Sequence, residues 1–258
     1  MVFIEPSYKI LTKISEGGFN EIKLIEKCAR YSYRSEDKIT EDGESAKKLI
    51  SMLIKNGHES CLEHSILTVL FTCDRATANE LVRHRLASFT QESTRYVNVT
   101  AEKLGTNGEM QVILPKELEK GKKIYNEQAL IMCRDTKRPY YNSDCVLTYA
   151  CEKLSNGNIS KDDFDELRKY VYFDDAACAS EVYYNTLLKS NLSLDITRSV
   201  LLHSLATKIV MTANYREWRH VFNLRCDSHA HPEMRRIMIP LLHEVQEKIP
   251  IVFDDIKF

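Results

Sequence analysis

The chain has 258 residues, of which 43% are hydrophobic and 28% charged, and its formal net charge is −1. This composition is typical of a globular protein with a core large enough to need no disulfide bonds. The near-zero net charge argues against a nucleic-acid partner, which would favour a strongly positive protein. The eight cysteines form no CxxC pair, and we expect them to be reduced thiols. The N-terminus lacks a signal-peptide pattern, and the longest apolar run (residues 66–73) is too short for a membrane span. We therefore expect a soluble, cytoplasmic protein with no membrane partner.

Hydrophobic periodicity predicts a chain of many helices and few strands. In chain order the predicted elements are helices at 19–33 and 44–55, a strand at 65–73, a helix at 75–87, a strand at 111–114, helices at 117–133, 143–154, 160–189 and 193–202, a strand at 206–214, and helices at 216–223 and 231–248. Residues 134–142 are predicted to form a loop. Because helices and strands do not alternate regularly, this order predicts an α+β fold rather than a doubly wound sheet.

Two of the predicted helices have clear starting signals. Asp74 suits the N-cap of the helix at 75–87, and Ser160 with Asp163 resembles a capping box for the helix that follows. The helix at 75–87 would carry Arg83-His84-Arg85 on its last turn, where the helix dipole favours cations. A solvated, basic helix end is therefore the simplest interpretation of that triplet.

Two clusters of cationic and polar side chains nevertheless predict a binding site. Residues 83–95 combine arginines, a histidine, an amide, hydroxyls and a carboxylate, and residues 214–229 carry further arginines and histidines. Guanidinium groups bind phosphate through charge-assisted and often bidentate hydrogen bonds. Because the overall charge is near zero, these local clusters suit a small anionic ligand, and we expect both to contribute to one site.

Other residues allow alternative interpretations. His58, Cys61 and His64 have a spacing that suits zinc, but paired CxxC or HxxxH ligands are missing, and we expect no metal. Cys226 stands beside an arginine that could activate a thiol, although cysteines are more often simply buried. Trp218, the single tryptophan, is expected in the core. The chain contains neither a GxGxxG fingerprint nor a Walker loop, which argues against a Rossmann-type nucleotide site.

Four segments of the chain resemble the flavin-dependent thymidylate synthase family. Arg83-His84-Arg85, seven further residues and Ser93 match its RHRx7S signature. Residues 57–64 resemble its GHxSxxEH segment, and residues 214–220 and 224–233 resemble its NxRxxxHF and LRxxxHAxxE segments. The four segments occur in the order found in the family.

The resemblance implies methylation of dUMP to dTMP without a cysteine nucleophile. Methylenetetrahydrofolate would supply the carbon, NADPH the electrons, and FAD would carry the hydride. The implied fold is α+β, with a mixed or antiparallel sheet flanked by helices, in a homotetramer whose active sites are shared between subunits. The chain would form one domain over residues 1–258, with a peripheral helical insertion within about residues 100–192.

The resemblance also implies roles for individual residues. Arg225 would be the catalytic residue, because its guanidinium could stabilise an N3-deprotonated uracil. The residues implied to bind dUMP are Glu80, Arg83, Gln91, Glu92, Ser93, Thr94, Arg95, Arg198 and Arg225. The residues implied to bind FAD are His58, Ser60, Arg83, His84, Arg85, Gln91, Asn214, Arg216, His220 and His229.

One implied residue departs from the family pattern. Glu80 stands where the family usually has glutamine, three residues before Arg83. A carboxylate at this position would repel a phosphate, or would pair with an arginine instead. The competing interpretation from another class is a nucleic-acid-binding module that uses residues 83–95, but the net charge of −1 and the acidic residues nearby argue against it.

Overall fold

The computed structural model describes residues 1–101, 108–136 and 142–258. Its strands are β1 (Val2–Ile4), β2 (Ser7–Ile10), β3 (Ile66–Asp74), β4 (Ala87–Gln91), β5 (Gln111–Ile113) and β6 (Ala206–Asn214). Its α-helices are α1 (Phe19–Tyr31), α2 (Glu44–Lys55), α3 (Arg75–Leu81), α4 (Glu119–Thr136), α5 (Ser143–Ser155), α6 (Lys161–Lys189), α7 (Leu194–Thr197), α8 (Tyr215–Arg225) and α9 (Pro232–Lys248). The predicted α+β class is confirmed.

Residues 6–92 and 207–258 form one compact unit around a four-stranded sheet. The strand order is β2-β3-β6-β4, and β2 pairs antiparallel with β3 while β4 pairs antiparallel with β6. Alternate residues of β3 are buried, among them Leu67, Val69 and Phe71. Because successive side chains of a strand point to opposite faces, this alternation gives the sheet one apolar face for the helices of the unit.

Trp218 lies in the middle of this core, as predicted. Its side chain is 0% exposed, its Nε1 donates a hydrogen bond to the Leu67 carbonyl oxygen at 2.9 Å, and its ring lies 5.3 Å from that of Phe222. The indole therefore contributes apolar burial while its polar group is satisfied by the sheet. This packing fixes the orientation of α8 on the sheet.

The segment after β3 differs from the sequence prediction. Asp74 caps α3 as expected, accepting a hydrogen bond from the Thr77 amide at 2.7 Å, but the helix ends at Leu81 rather than near residue 87. Residues 83–85 lie in a turn, and β4 follows at once because its backbone pairs with β6. The prediction that the basic triplet lies on a helix end was therefore wrong, since the pairing partner of β4 lies more than 100 residues away in sequence.

Residues 1–5 and 93–206 form the second compact unit. β1 pairs in parallel with β5, and helices α4, α5 and α6 pack around apolar side chains that include Leu114, Ala150 and Leu167. Ser160 caps α6 as predicted, accepting a hydrogen bond from the Asp163 amide at 3.1 Å. The predicted loop at 134–142 lies partly in α4 and partly outside the described residues.

Close packing of two helices in this second unit depends on a glycine. A Cβ atom at Gly121 of α4 would lie only 2.2 Å from the carbonyl oxygen of Glu166 in α6. Only glycine allows this approach without a shift of backbone. None of the helices among the described residues is both long and apolar enough to cross a lipid bilayer.

Candidate active site

The transition from β6 to α8 positions several of the predicted site residues. The Oδ1 atom of Asn214 accepts a hydrogen bond from the Glu217 amide at 2.8 Å, so Asn214 is the N-cap of α8. Helical spacing then places Glu217 and His220 on the same face. Arg225 is the last residue of α8, where a cation interacts favourably with the helix dipole.

Arg225 is held by three hydrogen bonds. Its Nη1 donates to the Glu80 carboxylate at 2.8 Å, its Nη2 donates to the Glu80 carbonyl oxygen at 3.1 Å, and its Nε donates to Nε2 of His84 at 3.0 Å. The Arg225 side chain is only 19% exposed. The Glu80 carboxylate therefore pairs with an arginine, which is one of the two outcomes expected from the sequence.

The turn at residues 83–85 separates its side chains into two environments. His84 is buried, at 5% exposure, whereas Arg83 and Arg85 are exposed and form no ion pair among the described residues. The backbone amide of Arg83 also donates to the Glu80 carbonyl oxygen, at 3.3 Å. The signature segment thus directs its imidazole toward Arg225 and leaves its two guanidinium groups accessible to a ligand.

His84 is neutral at physiological pH. Burial, together with the charge of Arg225 and the neighbouring His220, lowers the pKa of its imidazole to about 4. Its Nδ1 faces a carboxylate oxygen of Glu217 at 3.5 Å. That contact is not an ion pair, because the imidazole carries no charge. Burial also raises the pKa of the Glu217 carboxyl.

Three side chains at this place have ligand atoms close enough for a metal ion. The atoms of His84, Glu217 and His220 lie within 4.8 Å of one another. The Arg225 guanidinium, however, already donates to His84, and its positive charge opposes a cation there. The group is better described as a polar cluster attached to the hydrogen-bonded network of Arg225 than as a metal site.

A cavity of about 650 Å³ lies beside this network. Its lining residues are Glu59, Glu63, Leu86, Asn214, Arg216, Glu217, Arg219, His220 and Asn223. The volume falls in the range of small-molecule binding sites. The cavity therefore has the size and the polar lining that a nucleotide-like ligand requires.

Two of the carboxylates in the cavity wall are already paired with arginines. Glu63 accepts a hydrogen bond from Arg216 at 2.6 Å, and Glu59 accepts one from Arg219 at 3.2 Å. Arg219 also binds the Asp255 carboxylate through both terminal nitrogens, at 2.6 and 2.8 Å. Arg219 therefore shares its charge between two carboxylates, whereas Arg216 pairs with Glu63 alone. The remaining donors of Arg216 and the exposed His220 suit a ligand with phosphate groups and polar rings.

Other predicted residues of this unit lie outside the cavity wall. His58 and Ser60 are exposed at the start of a short 3₁₀ helix, Glu59–His64. His229 is exposed and its Nδ1 lies 2.7 Å from the Asp227 carboxylate. The structure therefore brings Asn214, Arg216 and His220 together in the cavity wall. The exposed side chains of His58, Ser60 and His229 lie outside that wall and face solvent or a ligand.

Gln91 is the last residue of β4, and Glu92 follows it. The Gln91 amide nitrogen donates to the Thr207 hydroxyl at 3.4 Å, and the Glu92 backbone amide donates to the Lys208 carbonyl oxygen at 2.9 Å. Both residues are half-buried. Their backbone is therefore fixed by pairing with β6.

The remaining predicted residues belong to the second unit, where two of the arginines meet at Asp195. Arg95 Nε donates to the Asp195 carboxylate at 3.2 Å, and Arg198 Nε donates to the Asp195 carbonyl oxygen at 3.1 Å. Ser93 Oγ accepts from the Arg95 amide at 3.3 Å, and Thr94 is buried. Arg95 and Arg198 are both exposed, so each keeps donors that can reach an anion.

Cys226 is not a candidate nucleophile. Its side chain is 1% exposed, and burial raises the pKa of the thiol to about 12, with only partial compensation from Arg235. Because a thiolate is the reactive form, a buried thiol that stays protonated is inert. The expectation that Cys226 is a buried core residue is confirmed.

Sequence reasoning missed Glu217 and Arg219 as residues of this site. Asn214 and Glu217 have the spacing of an N-cap and its N3 partner, which would have started α8 at residue 215. The i, i+3 spacing of Glu217 and His220 would then have placed the carboxyl on the same face as the imidazole. Nothing in the sequence pairs Arg219 with Asp255, because these residues lie on separate elements.

Comparison with known proteins gives a consistent result. The family model described as "Thymidylate synthase complementing protein" matches residues 19–251. A flavin-dependent thymidylate synthase of Corynebacterium aurimucosum is 28% identical, over 94% of this chain and 83% of that protein. One of Mycobacterium leprae is also 28% identical, over 98% of this chain and 85% of that protein.

A solved structure shares the fold. The UMP/dUMP methylase PolB of Streptomyces cacaoi, bound with 5-Br UMP, aligns with a TM-score of 0.65 at 20% sequence identity. The alignment covers 98% of this chain and 94% of that chain.

Proposed function

Because the chain belongs to the thymidylate synthase complementing protein family, we propose that it methylates dUMP to dTMP. Methylenetetrahydrofolate is the carbon donor, NADPH the reductant and FAD the hydride carrier. The observation that supports this activity best is the Arg225 network, in which a half-buried guanidinium stands beside a cavity of about 650 Å³ lined by donor groups.

The cavity fits FAD by its size and by its donors. Arg216, His220 and Asn214 line it, and they bind the phosphates and polar rings of the cofactor, which supplies hydride transfer when bound. Arg83, His84 and Arg85 bind FAD from the adjacent turn.

We also assign His58, Ser60, Gln91 and His229 to the proposed FAD site, although none of them lines the cavity wall. His58, Ser60 and His229 are exposed.

Arg225 activates the pyrimidine. Its five N–H groups exceed the three that are used within the protein, so two remain for the uracil ring. A guanidinium held in place before the reaction stabilises the anionic, N3-deprotonated ring at no cost of reorganisation, an effect typically worth roughly 3–4 kcal/mol. This electrostatic role replaces activation by a cysteine, since Cys226 is buried and protonated.

The proposed dUMP-binding residues combine cationic, acidic, amide and hydroxyl side chains. They are Glu80, Arg83, Gln91, Glu92, Ser93, Thr94, Arg95, Arg198 and Arg225. The exposed guanidinium groups at Arg95 and Arg198 suit the phosphate of the nucleotide. We propose that Gln91, Ser93 and Arg95 hold the dUMP of a neighbouring subunit in a homotetramer, in which the helical segment within residues 100–192 is a peripheral insertion into a single domain.

Release of tritium from 5-tritiated dUMP tests the proposed function. The purified protein should be yellow, with flavin absorption near roughly 450 nm, and it should release tritium only when methylenetetrahydrofolate and NADPH are present. A colourless protein that releases no tritium, and that binds DNA with a steep dependence on salt, would favour the nucleic-acid-binding alternative.

A further inference from the structure

Four side chains form a continuous polar array that crosses the site. Glu80 accepts from Arg225 at 2.8 Å, Arg225 donates to Nε2 of His84 at 3.0 Å, and Nδ1 of His84 faces Glu217 at 3.5 Å. Glu217 is buried, at 7% exposure, and it lines the cavity. Nothing in the proposed reaction so far uses this carboxyl group.

The array fixes which nitrogen of His84 carries the proton. The Nε atom of Arg225 always bears a hydrogen, so the Nε2 atom of His84 must accept it and must be unprotonated. A neutral imidazole then carries its single proton on Nδ1, the atom that faces Glu217. If the proton moved to Nε2, two N–H donors would oppose each other and Arg225 would lose the bond that orients it.

We propose that Glu217 is a positioning residue that holds His84 in its Nδ1-protonated form and thereby fixes Arg225 for the pyrimidine. This inference rests on the proposed function, because it assigns Arg225 to the uracil ring. The 3.5 Å separation is longer than a normal hydrogen bond. Contacts of this kind in ligand-free sites commonly shorten when the substrate binds.

The surroundings of His84 offer no equivalent partner among the described residues. His220 presents its ring nearly edge-on, at 6.0 Å between centroids and 75° between planes, and no hydrogen bond joins it to His84 in the part of the chain that the structure describes. Arg225 already occupies the opposite nitrogen. Among these side chains, Glu217 is therefore the one placed to accept the Nδ1 proton and to reinforce the tautomer that the Arg225 bond requires.

Two substitutions of Glu217 distinguish a requirement for a hydrogen-bond acceptor from a requirement for a side chain of this size. Glu217→Gln keeps an oxygen that can accept from His84, and Glu217→Leu has a similar size without an acceptor. We expect Glu217→Gln to bind dUMP within about threefold of the parent protein, and Glu217→Leu to bind it about tenfold to a hundredfold more weakly, as for a buried donor left without a partner. The measurement is calorimetric titration of the FAD-loaded protein with dUMP, without folate or NADPH, so that no turnover is needed.

The same substitution in a His84→Phe protein tests whether Glu217 acts through His84. His84→Phe removes both ring nitrogens, so adding Glu217→Leu to it should weaken dUMP binding no further. Glu26→Leu is the matched control, because Glu26 is also a fully buried glutamate but pairs with Arg30 in α1. It should lower the thermal stability and leave the affinity for dUMP unchanged.

The outcomes distinguish this inference from the proposed function. The positioning role is overturned if Glu217→Leu binds dUMP within twofold of the parent protein. It is also overturned if Glu217→Leu weakens dUMP binding equally in the parent protein and in His84→Phe. An equally large loss in Glu217→Gln also overturns it, because charge rather than an acceptor oxygen would then matter. If the parent protein itself binds no dUMP, the proposed function fails. If Glu217→Leu does not fold, Glu217→Ser, which is too short to reach His84, takes its place in the same comparison.

Discussion

The Nε atom of Arg225 donates a hydrogen bond to Nε2 of His84 across 3.0 Å. This bond joins two of the four segments that carry the family resemblance, since His84 belongs to the turn after α3 and Arg225 to the end of α8. It also makes the orientation of Arg225 dependent on the protonation state of a buried imidazole.

Replacing Arg225 by alanine should abolish most turnover while FAD stays bound. Removal of one preorganised charge at a reacting centre lowers the rate by about a hundredfold to a thousandfold. Tritium release measures the loss, and the absorption of bound flavin shows whether the cofactor site survives. Arg225→Lys should restore only part of the rate, because a lysine lacks the planar fork that binds Glu80 and the ring together. Normal dTMP formation by Arg225→Ala would refute the catalytic assignment.

Replacing Glu80 by glutamine should strengthen the binding of dUMP. Glutamine keeps an oxygen that accepts from Arg225 but removes the negative charge that compensates it. For a pair that is partly exposed the gain is about 1 kcal/mol, or about fivefold in KM for dUMP. Glu41→Gln is the control, because it removes one charge from an exposed ion pair with Lys23 elsewhere. A weaker affinity in Glu80→Gln would mean that the carboxylate itself serves the substrate.

Cys226→Ala should remain active. The thiol is buried and protonated, so its loss removes packing and no reactive group. We expect a decrease of about 1 kcal/mol in the free energy of unfolding and a turnover within twofold of the parent. An inactive but folded variant, judged by circular dichroism and flavin content, would instead restore a cysteine-based mechanism.

The unfolding free energy should fall in mild acid because of His84. Its pKa is about 4 in the folded protein and about 6.5 in an unfolded chain. Between these values the unfolded state binds the proton and the folded state does not, so stability is lost as the pH falls through this window. The loss reaches about 2 kcal/mol at a pH of about 5.

Urea unfolding of the parent and of His84→Phe checks this dependence. The difference in unfolding free energy between them should shrink by that amount on going from about pH 7 to about pH 5. His64→Asn, which replaces an exposed histidine, should follow the parent at both values. An unchanged difference for His84→Phe would show that His84 takes up its proton equally in both states.

The sequence predicts the longer elements well and the site only in part. Periodicity located α1, α2, β6 and α9 to within a few residues, because their buried faces repeat along the chain. It could not locate β4, whose residues are held by pairing with β6 rather than by local preference. The same limit applies to the Glu80–Arg225 pair, which is separated by 145 residues.

The family signature identified side chains and not their surroundings. It named His84 and Arg225 but did not reveal that one is buried and accepts a hydrogen bond from the other. Glu217 escaped notice because a glutamate near a helix start usually serves the helix dipole. Its contact with His84 is apparent only in the structure, where the turn at residues 83–85 lies against α8.

The position of the single indole offers a practical reporter. Trp218 is one residue from Glu217 and one from Arg219, and it is fully enclosed by Leu67, Phe71 and Phe222. Residues 93–206 contain no tryptophan. Tryptophan fluorescence therefore reports the unfolding of the compact unit formed by residues 6–92 and 207–258, and it does not report the unfolding of the other unit. Comparison of that signal with circular dichroism, to which the helices of both units contribute, separates the unfolding of the two units without a label.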